Sequence, residues 1–179
     1  MRSRLAIALG LVALVLVGRA SATVGAYLPL PRLVGYSEVI VSGTVLAQRS
    51  VDDAERHHRY THTTVHVAHY FKGDGPTELI VETLGGPSPR HASTATPTFA
   101  IGEDVMLFLH PDDAHGCFHP AGRVQGVFRV RSTSDGPIAF RDLSGMAFAG
   151  PSAELAGTET SIRLTDLQTL VTRLVGGAR

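Results

Sequence analysis

The run Glu38-Val39-Ile40-Val41-Ser42-Gly43-Thr44-Val45-Leu46-Ala47-Gln48 decides how the rest of the chain is read. Its valines, isoleucine and threonine are stiff at χ1 and fit a pleated surface better than a helix. Glu38–Gln48 is therefore expected as a strand. Gly43 sits in its middle, where a glycine marks a bulge or the sharp bend that a small barrel needs.

The same signal recurs downstream. Val51–Arg59 is charged and reads as a loop, and Tyr60–Phe71 follows as a strand. Lys72-Gly73-Asp74-Gly75-Pro76 is a strong turn. Thr77–Leu84 is a short strand closed by Gly85-Gly86-Pro87. Val105–His110 is an apolar run of buried-strand type, and Pro111-Asp112-Asp113 turns the chain. Cys117–His119, Val124–Val130 and Ile138–Phe140 continue as strands, with Gly122, Gly126 and Asp135-Gly136-Pro137 as punctuation. Five or six short antiparallel strands at this spacing imply a closed barrel or a sandwich. A barrel also removes exposed edges.

Helices bracket the strands. Pro31 suits the first turn of a short helix that turns Leu33 and Val34 inward. Residues 142–164 are rich in Gly, Ala, Ser and Thr and read as linker-like. Over 165–175, Leu167, Leu170, Val171 and Leu174 recur at helical spacing and Gly176-Gly177 stops the run. Thr165 and Gln168 have the form of a capping box.

The first 22 residues stand apart. Met1-Arg2-Ser3-Arg4 is basic, Leu5–Val17 is apolar, and Ala20 and Ala22 form an A-x-A site. This pattern predicts a signal peptide cut between Ala22 and Thr23. Thirteen apolar residues fall short of the roughly 20 that span a bilayer. The expected product is secreted or periplasmic, with no membrane span left after cleavage.

Composition narrows the function. The 16 basic and 16 acidic residues balance. Loss of Arg2, Arg4 and Arg19 takes the 16 basic residues to 13, and the charge to about −3. Such a chain, with no tryptophan, lacks the basic grooves and stacking platforms of single-strand binders, so no nucleic-acid partner is expected. One cysteine forms no intramolecular disulfide and no Cys-rich cluster. A chain of this size can bury a core without either.

Nine histidines are many for 179 residues. On a strand, Thr61, Thr63, Val65, Val67, His69 and Phe71 share the more apolar face, so His62 and His66 are expected to point to solvent. They lie about 13 Å apart, too far for one metal ion. His115, Cys117 and His119 alternate onto one side after Asp112 and Asp113, and two imidazoles with a thiolate suit zinc or copper. The plainer alternative is a buried cysteine with histidines at its strand's ends. His-Glu-x-x-His, Gly-x-Ser-x-Gly, P-loop and dinucleotide motifs are all absent from the sequence, so no enzyme and no cofactor are expected.

Ser37–Val45, Tyr60-Thr61 through Tyr70-Phe71-Lys72-Gly73, and Phe99-x-x-Gly102-Glu103-x-Val105-Met106-Leu107-Phe108-Leu109 together resemble netrin-type modules. That OB-barrel family includes the tissue inhibitors of metalloproteinases. Gly122 and Gln125-Gly126-x-Phe128 extend the resemblance to exported bacterial proteins of unknown function. The resemblance implies a mainly β fold: a small antiparallel OB-like β-barrel over 23–141, with a short N-terminal helix and a C-terminal amphipathic helix packed beside it. Inhibitors of that family chelate the protease zinc through an N-terminal cysteine, whereas Thr23 stands at the expected N-terminus here.

The expected function is that of an exported, non-enzymatic binding module for a protein or another envelope ligand. Its contact surface is expected in the Gly85–Pro97 loop, at Gly85, Gly86, Arg90 and His91. Protease inhibition is the first alternative and metal binding through His115, Cys117 and His119 the second.

Overall fold

The computed structural model describes residues 23–86, 95–157 and 160–177. The expected signal peptide with Ala22, and Arg90 and His91, lie outside them.

The chain is mainly β. Its strands are β1 (Thr23–Ala26), β2 (Val39–Asp53), β3 (His58–Lys72), β4 (Glu78–Leu84), β5 (Asp104–Asp112), β6 (Cys117–Pro120), β7 (Val127–Thr133), β8 (Gly136–Phe140), β9 (Met146–Ala149) and β10 (Ser161–Arg163). The helices are α1 (Leu30–Tyr36) and α2 (Leu164–Gly176). Eight strands form one sheet in the order β10-β8-β7-β5-β2-β3-β4-β6. β6 also pairs with β5, so β5, β2, β3, β4 and β6 close partly into a ring. The sheet is mixed rather than antiparallel. β4 and β6 run parallel and share a single register pair, Val81↔Phe118. Separately, β1 and β9 form a parallel two-stranded ribbon.

Gly43 is where β2 bends. The β2–β3 register shifts between Ser42 and Gly43, and a Cβ on Gly43 would lie 2.2 Å from the His66 carbonyl oxygen. Only a glycine admits that approach of β3. The bulge also corrects the expected faces of β3. Thr61, Thr63, Val65 and Val67 are buried together as expected. Beyond them the phase flips, because Ala68 is an extra residue opposite Ser42 and Gly43. His69 is exposed, Tyr70 joins the interior cluster, and Phe71 joins the opposite one.

Two apolar clusters result. Val41, Val45, Val65, Leu79, Val81, Leu107 and their neighbours fill the side enclosed by the ring. On the other face of β2 and β5, Ile40, Met106 and Phe108 meet Leu33 and Val34 of α1 and Leu167 and Val171 of α2. Lys72 ties α1 down, donating from Nζ to the carbonyls of Val34 (2.8 Å) and Ser37 (2.5 Å). Gln125 anchors the segment before α1, accepting from Leu28 N at 2.8 Å and donating to Ala26 O at 3.1 Å.

Three further expectations need correcting. The charged 51–59 stretch is mostly hairpin: β2 runs on to Asp53 and β3 begins at His58. The linker-like 142–164 stretch contains β9, a 3-10 turn and β10, each too short for its periodicity to show. Thr165 is not the cap of α2. The helix starts one residue earlier, straight out of β10, and Arg163 Nε donates to Asp166 Oδ2 at 2.8 Å instead.

Candidate functional site

The ring has a second outer face, on β3, β4 and β6, where apolar side chains give way to charge. Glu82 of β4 is 1% exposed there. The β2–β3 hairpin tip folds Arg56 over it, and the guanidinium is bidentate: Nη1 donates to Oε1 at 2.7 Å and Nη2 to Oε2 at 3.0 Å. Such fork-to-fork pairing fixes orientation as well as charge. Arg56 is itself held by Asp53, which accepts from its backbone N (2.8 Å) and its Nε (2.6 Å), and it stacks 4.0 Å over the Tyr60 ring.

His62 sits opposite Glu82 in the β3–β4 register. It does lie on the outer face, but it does not point freely to solvent. Its side chain is 14% exposed, and its Nε2 is 2.8 Å from Glu82 Oε2. Arg49 Nη2 lies 3.2 Å from its Nδ1. A guanidinium only donates and a carboxylate only accepts, so the Nε2–H tautomer satisfies both contacts. Burial alone would push the Glu82 carboxyl up, but the hydrogen bonds and charge of Arg56, with the bond from His62, hold it below the usual range.

Cys117 and His119 of β6 lie beside Glu82. Ligand atoms of Glu82, Cys117 and His119 are all within 4.8 Å of one another. Cys117 is buried. Burial first, then the charges of Glu82 and Asp112, push its thiol up to about 11. Asp112, the last residue of β5, accepts from His119 Nε2 at 3.1 Å and His115 Nδ1 at 2.9 Å. Those two bonds, His119 first, lower its carboxyl to about 2.

Of the expected metal set, Cys117 and His119 share a side as their alternation requires. His115 lies in the turn before β6 and reaches His119 only through Asp112. Glu82 takes the third place. Nothing near it in Glu78-Leu79-Ile80-Val81-Glu82-Thr83-Leu84 marks it, since alternation makes it an ordinary solvent-facing acid. Arg56 stood in a stretch read as loop.

Of the expected contact residues, Gly85 and Gly86 line an open cleft of about 530 Å³ at the hairpin tip, with Asp52, His57, His58 and Arg59 among its other walls. Asp52 and Arg59 pair across the hairpin at 2.6 Å with both side chains largely exposed. A second groove of about 450 Å³, lined by Leu30, Phe128, Leu167 and Leu174 among others, runs between the two helices. Among the described residues, no helix is long and apolar enough to cross a membrane.

No protein-family model matches the chain, and no curated protein matches it in sequence.

Proposed function

We propose that the chain is an exported, non-enzymatic binding module built on an OB-like barrel, and that it contacts its protein or envelope ligand through the hairpin-tip cleft. One observation carries this reading. Gly85 and Gly86, which open the long polar segment to Pro97, line the same cleft as the charged tip of the longest hairpin. Binding surfaces concentrate on loops set on a rigid scaffold, and the ring of five strands supplies one. The partial ring closure and the two flanking helices agree with an OB-like plan. The basic, apolar and small-residue order of residues 1–22 supports export to the periplasm or the medium. The inhibitor alternative requires the Thr23 nitrogen to chelate a protease zinc.

The test pairs two variants of the purified chain, one with residues 87–94 shortened and one with Asp52→Ala and Arg59→Ala together. Both are expected to lose a partner captured from the secreted fraction by the parent chain. Unchanged capture by both overturns the reading. N-terminal sequencing of the exported protein is expected to begin at Thr23.

A further inference from the structure

We propose that Glu82, Cys117 and His119 form a zinc site on the polar outer face of the ring. The strands supply the arrangement. Cys117 and His119 are two residues apart on β6 and so share a side, and the Val81↔Phe118 pair sets Glu82 next to both. Their ligand atoms lie within 4.8 Å of one another. Zinc bonded at about 2.0–2.3 Å in a tetrahedron separates its ligands by roughly 3.3–3.8 Å. A contraction of about 1 Å, within reach of side-chain torsions, therefore completes the set.

The donor chemistry selects the ion. One thiolate, one imidazole and one carboxylate make a mixed S, N, O set of borderline softness, which suits Zn²⁺ and not the oxygen-seeking Mg²⁺ or Ca²⁺. Three protein ligands leave a fourth position for water or an incoming ligand. On binding, the Cys117 thiol proton leaves to solvent as the Zn–S bond forms.

The surrounding groups do what outer partners of a metal site do. Asp112 accepts from His119 Nε2, so in that tautomer Nδ1 carries the lone pair. Arg56 and His62 occupy three of the roughly four lone-pair directions of the Glu82 carboxylate and leave one for a metal. The His119 side chain is 40% exposed, so solvent reaches that side of the set. A merely packed cysteine accounts for the burial of Cys117. It does not account for a histidine held by its own carboxylate and a buried glutamate converging on the same sulfur.

The experiment loads the purified full chain with Zn²⁺ alone, dialyses it and measures bound metal. One zinc per chain is expected. Cys117→Ser, which changes volume little, is expected to abolish retention while keeping the parent's circular dichroism. His115→Ala is expected to retain zinc, and Asp112→Asn to bind it about 10–100-fold more weakly. Should Cys117→Ser fail to fold, Co²⁺ in the parent chain decides through its thiolate-to-metal charge-transfer absorption, whose absence overturns the proposal. It is also overturned if the parent retains no stoichiometric zinc, if folded Cys117→Ser retains as much as the parent, or if His115→Ala loses it.

Discussion

The ring of strands is covered on two outer faces, and the covers work by different physics. α1 and α2 lay Leu33, Val34, Leu167 and Val171 on Ile40, Met106 and Phe108. That contact is non-directional and grows with apolar area, at about 25 cal/mol per Å² removed from water. The hairpin tip lays Arg56 on Glu82 through hydrogen bonds of fixed direction. There the desolvation of two charges offsets most of their attraction. The helix cover therefore supplies stability, and the tip cover supplies a defined arrangement of polar groups. Chemistry is expected on the second face because Glu82, Arg56 and His62 are held there in fixed register and largely out of water.

The contrast can be broken first at its apolar side. Leu167 is fully buried in α2. Leu167→Ala is expected to lower the unfolding free energy by about 2–5 kcal/mol, and Leu167→Met by less than about 1.5 kcal/mol. Chemical denaturation reads both, and a large penalty for methionine would mean that the helix face depends on shape rather than volume. Gly43 serves both faces, since it lets β2 bend. Gly43→Ala drives a methyl against the His66 carbonyl and is expected to cost about 1–3 kcal/mol by the same measurement.

The polar cover is expected to differ in how single and paired substitutions compare. Arg56→Met leaves Glu82 buried against His62 alone and should lower the thermal midpoint. Arg56→Met combined with Glu82→Leu should recover most of that loss, because a buried pair replaced as a unit by apolar groups is near neutral. A double variant worse than the single one would make the tip pair a net source of stability. The smallest effect is set by pH. Hydrogen bonds from the Arg56 backbone and side chain hold Asp53 below the ordinary aspartate value of 3.8. A carboxyl lowered on folding contributes stability above that value and loses it as pH falls through the lowered one. The denaturation midpoint is thus expected to fall slightly below pH 4, and Asp53→Asn to flatten part of that fall.

Much of the apolar cover was legible in the sequence. Val39–Val45 and Thr61–Val67 carry the period of a strand, Gly43 carries the bend, and Leu167 and Val171 carry the helix stripe. Each signal is local, because a hydrophobic face repeats along its own element. The polar cover was only half legible. Cys117 and His119 declared themselves by alternation. Glu82 and Arg56 did not, because 26 residues separate them and a charge announces nothing about its partner. The β1–β9 ribbon was illegible for a third reason. Its strands are four residues long and lie far apart in the chain, so pairing alone defines them.

Ring closure has a kinetic side. β6 is four residues long and meets β4 at one pair, Val81↔Phe118. Joining them closes a long stretch of chain for little local reward, so that seam is expected to shut last in folding. By the same logic it opens first in the native state. Amide hydrogen exchange is expected to be faster at Phe118 than at Ile40, in the middle of the sheet. Cys117 and His119 ride on that seam, so each opening of the ring also parts them from Glu82, and whatever binds there acts as a clasp on the lifetime of the closed state.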